Sequence, residues 1–557
     1  MRARARAWRA TARRALAALA LPAALACAPP PNVVLVSLDT VRADHLSLYG
    51  YPRPTSPELD RFAADAWVFP ESYAAATWTP PSHASMFTGL LPDQHGLRRV
   101  AETLAPEAVT AAELLRDAGY ATAAITDGGF LDPHWGLAQG FDRYDVTPGQ
   151  PWEGKDAAVV FGRAERWVEE NRSYPFFLFV HSYEAHQPYD NRGGFADRFL
   201  DPGYQGSFRD EVDVLEDGAL IDAAELPRVT ALYDGGIRRA DHFLGRFLRT
   251  LRDRGLLETT AVIVTSDHGE ELREHGDLEH FLGKVFDEHV RVPLVVRPPG
   301  GVPARAERRP ATAVSGLDLF PTLLDLAGLP AGDPPPPGRS LLAIAEEAPD
   351  PERTIVIQGL NSLDYLDERR LRLDRGRRTL ILDRVRATAE RYDRARDPAM
   401  REPLPAIGAD GAGAGLAARL QTVLAWLEPG AVAARLPAST AAVGVPAASP
   451  LALRGAWSGL EWRPAEGGRS LAVDPARPAL VVLAAAGGAD GRELEVESAG
   501  GGVWRLRLER PLDGGPTPLD RELAPPGMLL PAGPSLRGGR AEIDPARAAE
   551  LRALGYL

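Results

Sequence analysis

Cysteine is nearly missing from this sequence, because Cys27 is the only one among 557 residues. A single cysteine cannot form a disulfide within the chain, which excludes a small disulfide-stabilised fold. Lysine is also scarce: Lys155 and Lys284 are the only two lysines, beside many arginines. Each is either a lysine present by chance or a position that needs a lysine. Histidine is missing after His289, since all 11 histidines lie between His45 and that residue. Chemistry that depends on histidine is therefore expected before residue 290.

An apolar run long enough to span a membrane is missing at the N-terminus too. Residues 1–14 carry six arginines and no acidic residue, and residues 15–26 are almost wholly apolar but too few to cross a bilayer. This pattern is typical of a secretory signal. Cys27 follows the run directly, as the acylated cysteine of a bacterial lipoprotein does; an ordinary signal with a chance cysteine is the alternative. We therefore predict an exported protein, periplasmic or at the cell surface, anchored to a bacterial membrane by a lipid on Cys27.

Positive charge is in short supply as well. The formal net charge is −13, and removal of the six arginines of the signal would lower it to −19. So acidic a chain is a poor ligand for nucleic acid, which binds basic surfaces. We expect no nucleic-acid partner and no membrane contact except through the lipid anchor, while the oligomeric state is left open.

The first half of the sequence alternates between strand-like and helix-like segments. Residues 32–38 form a continuous apolar run that is suited to a central parallel strand. This alternation predicts an α/β fold with a central, mostly parallel sheet flanked by helices. The further strands are predicted at residues 121–126, 176–180, 261–265 and 292–296, and the helices at residues 104–118, 157–170 and 232–254.

The second half changes in composition. Residues 331–339 read as a linker rich in proline, and residues 408–449 are dominated by Ala, Gly and Pro. Residues 451–512 alternate short apolar runs with Gly-rich turns, which indicates an added β-rich module. The predicted boundaries are a signal segment at 1–26, a catalytic domain at 27–345, a smaller C-terminal subdomain at 346–407, an accessory segment with the β-rich module at 408–544 and a closing helix at 545–557.

Acidic and histidine side chains follow three of the predicted strands. Asp39 follows the first strand, Asp267 and His268 follow the strand at 261–265, and His181 with His186 follows the strand at 176–180. One such Asp is more often a cap or turn residue, but parallel strands deliver their carboxyl ends to one ligand-binding edge. Two Asp and a His are ligands for one divalent metal ion, with zinc or manganese favoured by the imidazole and calcium as an alternative.

Thr79 offers a nucleophile for such a metal site. It precedes Pro80 and Pro81, and proline is favoured in the first turn of a helix. Thr79 would then lie at a helix N-terminus, where free amides favour an anion. Activated by the metal, its hydroxyl could attack a phosphorus or sulfur centre. The simpler interpretation is that Thr79 only caps the helix.

The order of these motifs resembles the sulfatase family, within the alkaline-phosphatase superfamily. The resemblance runs from about residue 32 to about residue 404, and the last residues, LRALGYL, resemble the end of such proteins. The matching stretches include NVVLVSLDTVRADHLSLYGY, TPPSHASMFTGLLPDQHG, PFFLFVHSYEAHQPY, VIVTSDHGEELREHG, RVPLVVRPPG and SGLDLFPTLLDLAGL. The resemblance implies an alkaline-phosphatase-like fold and a metal-dependent ester hydrolase.

Roles for individual residues follow from this resemblance. It makes Asp39, Asp267 and His268 metal ligands and places Thr79, which is expected to bind the metal as well, at the position of the nucleophile. His268 stands where calcium-dependent sulfatases commonly have asparagine.

Substrate contacts are implied for a second group of residues. His186 matches a histidine that contacts the sulfuryl or phosphoryl oxygens. Lys284 lies near a family lysine with the same task, although its spacing to the following RVP motif is short, and His280 is the alternative. His83 is expected to orient Thr79 or to protonate the leaving group.

Departures from the family pattern narrow the chemistry. Authentic sulfatases convert a Cys or Ser to formylglycine in the pattern Cys/Ser-x-Pro-x-Arg, which reads here as residues 79–83 with Thr79 and His83 at its ends. Threonine cannot become formylglycine. Thr40 stands at the position where the family has its second aspartate. The Gly-Lys-Trp-His segment, with which the family binds sulfate, is replaced here at residues 126–129. These changes favour the threonine-nucleophile branch of the family.

We therefore predict a metal-dependent hydrolase or transferase that acts on a phosphate or sulfate ester through Thr79. Two-metal relatives have an Asp at the position of Ser182, so one full metal site is expected. The substrate is expected to be a small-molecule, lipid or glycan ester. The alternative is a catalytically degenerate sulfatase fold that serves as a surface binding protein.

Overall fold

The computed structural model describes residues 30–147, 155–208, 211–213, 218–280, 282–332, 335–351, 353–360, 369–383 and 388–404, with short strands between 432 and 507. The predicted signal segment, Cys27 and the predicted closing helix lie outside these residues. The described residues up to 360 and those from 369 onward form two compact units. The domain boundaries predicted from the sequence remain predictions. No helix among the described residues has both the length and the apolar character needed to cross a membrane.

A seven-stranded sheet forms the centre of the first unit. The strands of this unit are β1 (Asn32–Leu38), β2 (Trp67–Val68), β3 (Ser72–Tyr73), β4 (Ala121–Thr126), β5 (Arg143–Val146), β6 (Phe176–Ser182), β7 (Tyr189–Asp190), β8 (Glu211–Val212), β9 (Thr260–Thr265), β10 (Glu271–Leu272), β11 (Leu278–Glu279), β12 (Leu294–Arg297), β13 (Val314–Ser315) and β14 (Thr354–Leu360). The central sheet has the order β2-β12-β9-β1-β6-β4-β5.

Five neighbouring strands of this sheet, from β9 to β5, run parallel. β12 runs antiparallel between β9 and β2. The described residues between β9 and β12 contain no long crossover helix, and without one the chain cannot return to the far end of the sheet to start a parallel strand. The predicted α/β fold with a mostly parallel central sheet is confirmed, with this one strand reversed.

Two hydrophobic clusters cover the two faces of the sheet. Alternate residues of β1 enter different clusters: Val33 and Leu35 belong to one, and Val34 and Val36 to the other. Because successive side chains of a strand point to opposite faces, a strand that is covered on both sides needs apolar residues throughout. This explains the uninterrupted apolar run at Asn32–Leu38.

Helices supply the cover on both faces. They are α1 (Pro57–Phe62), α2 (Thr79–Thr88), α3 (Pro92–His95), α4 (Ala111–Asp117), α5 (Ala157–Asn171), α6 (Leu226–Asp253), α7 (Asp287–Val290), α8 (Leu319–Leu326) and α9 (Leu341–Glu346). Helices α2, α4 and α8 contribute buried side chains to the first cluster, and α1, α5 and α6 to the second.

The helix predicted at 104–118 is shorter in the structure. It begins after Thr110, whose hydroxyl accepts a hydrogen bond from the Glu113 amide at 3.1 Å, while the Glu113 carboxylate accepts one from the Thr110 amide at 3.0 Å. This reciprocal pair caps the helix and fixes its first residue. The residues before it, which include Pro106, stay outside the helix.

The second unit is built from antiparallel strands. β15 (Arg369–Arg375), β16 (Arg378–Asp383) and β17 (Thr388–Asp393) form a meander. Two further sheets, β18-β23-β20 and β21-β22-β19-β24-β25, contain β18 (Val432–Arg435), β19 (Thr440–Pro446), β20 (Leu451–Trp457), β21 (Leu460–Ala465), β22 (Gly468–Val473), β23 (Leu480–Ala485), β24 (Glu493–Ser498) and β25 (Val503–Arg507). The β-rich character predicted for this part is confirmed, although the strands begin well before residue 451.

Candidate active site

The carboxyl ends of three adjacent strands meet at one edge of the central sheet. β1 lies between β6 and β9, and Ser37 is in register with His181 on one side and with Thr265 on the other. The residues that follow these positions therefore stand at the same level. The Asp39 amide donates to the Ser182 carbonyl at 3.0 Å, which extends the pairing to the base of the site.

Thr79 approaches this edge from helix α2. Trp78 precedes the helix in an extended conformation, and Pro80 and Pro81 occupy its first turn. The Ser82 hydroxyl donates to the Asp267 carbonyl at 2.7 Å, which fixes the start of the helix to the end of β9. Thr79 is 2% exposed. The predicted helix N-terminus is thus present, and it faces the carboxyl ends of the strands.

Asp39 and His268 contact the Thr79 hydroxyl from two sides. Thr79 Oγ1 lies 3.3 Å from Asp39 Oδ2 and 3.3 Å from His268 Nε2. Asp267 Oδ2 lies 3.3 Å from the same His268 nitrogen. Thr79 and the three predicted metal ligands, Asp39, Asp267 and His268, therefore come together.

Two buried carboxylates face each other in this group. Burial, together with the neighbouring Asp267 carboxylate, raises the pKa of Asp39 well above its usual range. Burial also opposes ionisation of Asp267, but the nearby imidazoles of His268, His83 and His181 hold its pKa below the ordinary value. Among the described residues, neither Asp39 Oδ1 nor Asp267 Oδ2 accepts a hydrogen bond. Buried carboxylate oxygens of this kind need a cation or a donor to offset the loss of water.

The donor set fits a divalent metal ion. Ligand atoms of Asp39, Asp267 and His268 lie within 4.8 Å of one another, and all three side chains are buried. The His268 Nδ1 donates to the Gly269 carbonyl at 3.0 Å. A carbonyl only accepts, so this bond places the proton on Nδ1 and leaves Nε2 as the ligand atom.

His83 stands behind Thr79. Its Nδ1 donates to the Thr79 carbonyl at 2.8 Å, and its Nε2 accepts from the Ser37 hydroxyl at 3.0 Å. Both ring nitrogens are thus used to hold the first turn of α2 against β1. These two bonds suit the predicted role of orienting Thr79; protonation of a leaving group would require one of them to break. His83, His181 and Asp267 also form a compact group, but the proton on His83 Nδ1 makes it a poor metal ligand.

Thr40 has an unusual backbone in this site. Its φ is 57°, in the left-handed region that a β-branched residue rarely adopts. Its amide lies 3.4 Å from Asp267 Oδ1, while its carbonyl accepts from the Tyr233 hydroxyl at 2.7 Å. Thr40 therefore faces the acidic pair with a backbone donor and contributes no carboxylate, as its identity predicts. Strain of this type is commonly kept at functional sites.

Two further predicted histidines line the same site. The ring centroids of His280 and His268 are 4.3 Å apart, and those of His280 and His186 are 5.4 Å apart. The Glu270 carboxylate accepts from His280 Nδ1 at 3.1 Å. Burial and the neighbouring His280 lower the pKa of His186 to about 3. Burial, together with the neighbouring His268, lowers the pKa of His280 as well, so both rings favour the neutral form.

Lys284 lies in a different cluster. Its ammonium donates to Glu271 at 2.7 Å and pairs with Asp277 at 2.7 Å. Its described hydrogen bonds and ion pairs include neither Thr79 nor the acidic pair. Between the two residues considered for this task, the structure brings His280 to the site and Lys284 to a carboxylate pair. Glu271, Glu288 and His289 form a third compact group, in which Lys284 pairs with Glu271.

Three buried residues beside the site were not predicted from the sequence to belong to it. They are Asp127, Tyr183 and Glu270. Asp127 directly follows β4 and accepts bonds from the Ser182 hydroxyl at 3.0 Å and the Tyr183 amide at 2.9 Å. Its place after a strand is the one signal that could have found it, by the rule that found Asp39.

Comparison with known proteins identifies the family. The family model described as Sulfatase matches residues 31–329, which is more than half of the chain. The chain therefore belongs to the sulfatase family. The predicted family and the predicted alkaline-phosphatase-like fold are both confirmed; the assignment to the threonine-nucleophile branch remains a prediction.

Curated relatives include sulfatases and a more versatile enzyme. Human arylsulfatase A is 29% identical over 377 residues, which cover 56% of this chain and 67% of that protein. N-acetylgalactosamine-6-sulfatase of Canis lupus familiaris is 28% identical over 340 residues, covering 54% of this chain and 63% of that protein. The multifunctional alkaline phosphatase superfamily protein PehA of Trinickia caryophylli is 27% identical over 414 residues, covering 58% and 79%. These relatives bear out the prediction of a sulfatase-like ester hydrolase.

Solved structures agree on the fold. The phosphonate monoester hydrolase of Agrobacterium radiobacter has a TM-score of 0.56 at 22% identity, covering 71% of this chain and 94% of that chain. BT4656 in complex with its substrate D-glucosamine-2-N,6-O-disulfate has a TM-score of 0.54 at 21% identity, covering 66% and 92%. Both likenesses concern the fold alone.

Proposed function

We propose that this protein cleaves a phosphate, phosphonate or sulfate ester, with Thr79 as the nucleophile. One observation carries the proposal: the Thr79 hydroxyl lies 3.3 Å from both Asp39 and His268 at a helix N-terminus, beside two carboxylate oxygens that accept no hydrogen bond from the described residues. Activation of a hydroxyl needs nearby groups that favour its ionised form, and this cluster supplies them. The helix N-terminus favours the anionic group of the ester.

Asp39, Asp267 and His268 would hold one divalent metal ion, with zinc or manganese favoured by the imidazole and calcium as the alternative. When bound, such an ion supplies positive charge to the nucleophile and to the oxygens of the ester. The residues fit it because one ligand atom from each side chain lies within 4.8 Å of the other two, and because one buried oxygen of each carboxylate accepts no hydrogen bond among the described residues.

The chemistry falls into two displacements. In the first, the Thr79 oxygen bonds to phosphorus or sulfur, the ester bond breaks, and the hydroxyl proton of Thr79 ends on the leaving alcohol. In the second, water or an acceptor alcohol attacks the same atom and restores the Thr79 hydroxyl. His186 and His280 would bind the charged oxygens of the ester, whose approach favours protonated imidazoles; their ring contacts with each other and with His268 support this.

Threonine also bears on the choice of ester. An ester on threonine cannot collapse to an aldehyde as a formylglycine hydrate does, so it must be attacked again at phosphorus or sulfur. Phosphoryl chemistry suits that second attack well. The proteins named above include a phosphonate monoester hydrolase as well as sulfatases, so the panel of substrates to test contains aryl phosphates, phosphodiesters, phosphonates and sulfates. The natural substrate is proposed to be a small-molecule, lipid or glycan ester outside the cytoplasm.

Substitution of Thr79 by Ala tests the proposal. We expect turnover to fall by at least about 10³-fold, because the nucleophile is lost, while the fold and the metal content stay near those of the parent. Thr88→Ala is the matched control, since Thr88 is a buried threonine in the last turn of the same helix.

Two results would count against the proposal. Undiminished turnover by Thr79→Ala would contradict the nucleophile. A purified protein with no bound metal and no turnover of any ester in the panel would favour the alternative, a sulfatase fold that has become a binding protein; the departures at Thr40 and residues 126–129 are the observation behind it.

A further inference from the structure

The hydroxyl of Tyr233 holds the turn that follows β1. It donates its hydrogen to the Thr40 carbonyl at 2.7 Å and accepts a hydrogen bond from the Arg42 amide at 3.1 Å. We propose that Tyr233 is a positioning residue of the metal site, which keeps Thr40 in its left-handed conformation and so sets Asp39 opposite Asp267. This role rests on the proposed function, because it gives Tyr233 a task only if Asp39 and Asp267 bind a metal ion.

Thr40 does not favour its own backbone conformation. Its φ is 57°, which glycine, asparagine or aspartate adopts readily and a β-branched residue does not. The Thr40 hydroxyl donates to the Asp39 carbonyl at 2.7 Å, a bond within the turn itself. A conformation that the residue disfavours persists only where its surroundings hold it. The partners of this turn on other segments are therefore the groups that keep it in place.

Both ends of the turn are fixed by the neighbouring strands. On one side, the Asp39 amide donates to the Ser182 carbonyl at 3.0 Å. On the other side, the Ser266 hydroxyl accepts from the Val41 amide at 3.1 Å and donates to the His268 carbonyl at 2.7 Å. Between these two anchors lies the Thr40 carbonyl, and Tyr233 is its partner. The Tyr233 hydroxyl thus completes the support of the turn at the strained residue.

The conformation of Thr40 bears directly on the acidic pair. The Thr40 amide lies 3.4 Å from Asp267 Oδ1. The angle φ describes rotation about the bond between the amide nitrogen and Cα, so a change of φ at Thr40 moves the peptide that joins it to Asp39. With Val41 held by Ser266, relaxation to a negative φ would turn this amide away from Asp267 and displace Asp39. The spacing of the two carboxylates therefore depends on the strained turn.

Tyr233 is itself held in a fixed position on α6. It is fully buried, and its ring centroid lies 5.1 Å from that of His45 and 5.7 Å from that of Tyr189, both edge-to-face. The next residue, Asp234, accepts from His45 Nδ1 at 2.8 Å. Because His45 follows the turn by only a few residues, α6 binds this part of the chain at two successive positions.

A glycine brings α6 close to the loop after β6. A Cβ on Gly236 would lie 2.8 Å from the Glu184 carbonyl oxygen and 3.2 Å from the Ala185 Cα. Gly236 lies about one helical turn after Tyr233, so the helix packs closely at this point. This contact fixes the distance between the backbone of Tyr233 and the edge of the sheet.

Tyr233→Phe removes only the hydroxyl and keeps the ring between its two neighbours. We expect the affinity for metal to fall by about 10–100-fold, as for loss of a group that orients a metal ligand. Competition between the metal-free protein and a chelator of known affinity measures this change, once with zinc and once with manganese ions. The fold is monitored in parallel by the Tm of the metal-free protein.

Tyr49→Phe is the matched control, because its hydroxyl also bridges two backbone groups. The Tyr49 hydroxyl donates to the Phe69 carbonyl at 3.2 Å and accepts from the Leu294 amide at 2.8 Å, beside β2 and β12. We expect a similar fall in Tm for both variants and an unchanged metal affinity for Tyr49→Phe. A purely structural role of the Tyr233 hydroxyl would lower the Tm and weaken metal binding in neither variant.

Thr40→Gly tests whether the hydroxyl acts through the strained residue. Glycine adopts a φ of this sign without strain, so Tyr233→Phe should weaken metal binding in Thr40→Gly by a smaller factor than in the parent. An equal factor in both backgrounds would contradict a role through Thr40. Should Tyr233→Phe alone fail to fold, the double variant decides: weaker binding than in Thr40→Gly supports the role, and equal binding overturns it.

Three results distinguish this role from the function on which it rests. A parent protein that binds neither zinc nor manganese overturns the metal site and the role of Tyr233 together. Unchanged metal affinity in Tyr233→Phe, beside a parent that binds metal and turns over an ester, overturns the role of Tyr233 alone. Undiminished turnover in Thr79→Ala overturns the nucleophile, whereas weaker metal binding by Tyr233→Phe would still support the positioning role.

Discussion

Lys155 is a buried lysine whose replacement should release the loop that carries His186. Its ammonium is 1% exposed and donates to three backbone carbonyls of this loop: those of His186, of Pro188 at 2.7 Å and of Glu184 at 3.5 Å. No carboxylate lies among these partners. Lys155→Met keeps the length of the side chain and removes its three donors.

The size of the effect follows from these bonds. Each of the two close hydrogen bonds from a charged donor contributes about 1.5–3 kcal/mol, and a buried carbonyl left without a partner costs about 1–3 kcal/mol. Removal of the ammonium also relieves its desolvation cost, for which burial lowers the pKa of Lys155. We therefore expect a net loss of about 3–5 kcal/mol, close to that for breaking a buried ionic interaction. At about 2–4 °C per kcal/mol for a domain of this size, Tm should fall by about 6–20 °C.

Calorimetry of the whole protein measures the loss of stability in the first unit, and steady-state kinetics measure the effect on binding of the ester. KM should rise more than kcat falls, because the carbonyl of His186 is one of the three acceptors and His186 is proposed to bind the ester. Arg246→Met is the control for loss of a cationic side chain, since Arg246 is 45% exposed in its pair with Glu165, and its effect should stay below about 0.5 kcal/mol. A Tm for Lys155→Met equal to that of the control would refute this reasoning.

Further predictions concern acidity, metal and location. Burial raises the pKa of Asp241 to about 7, so the folded state keeps this proton to a higher pH than the unfolded state. The free energy of unfolding should therefore fall as the pH rises from about 4 to about 7. Denaturant titrations across this range should show a shallower fall for Asp241→Asn, and equal slopes for the parent and the variant would contradict the raised pKa. A chelator should lower the Tm of the parent more than that of Asp267→Asn, whose metal site is already incomplete; an equal drop would argue against Asp267 as a ligand. Cys27→Ser should move the exported protein from the membrane fraction to the soluble fraction, and continued membrane association would count against lipidation there.

The sequence predicted the site largely through one rule. Asp39, Asp267 and His268 come directly after strands, so knowledge of the strands alone placed them together at one edge. Thr79 was found because two prolines after it indicate the start of a helix. Each of these signals is local in the sequence, and the parallel sheet converts local position into spatial proximity.

Other features depend on contacts between distant segments. Tyr183 packs beside the loop after β4 because Gly129 leaves room for its ring, and no local pattern encodes that approach. Lys284 was expected beside the ester from its place before the RVP motif; in the structure its ammonium pairs with Glu271 and Asp277, which no local pattern predicts. The start predicted for the helix at 104–118 was wrong for a local reason. Thr110 and Glu113 cap the helix reciprocally, and this pair was not recognised in the sequence as its beginning.

The register of β1 with β6 and β9 has a consequence for inactivation by heat. Asp39, His181 and Asp267 keep their spacing because three central strands of the sheet are hydrogen-bonded to one another. Such strands open only in the rarest, most global fluctuations, whereas loops open often. Activity and the core of the first unit should therefore be lost at the same temperature, and an assay of residual turnover would report the unfolding of the whole unit.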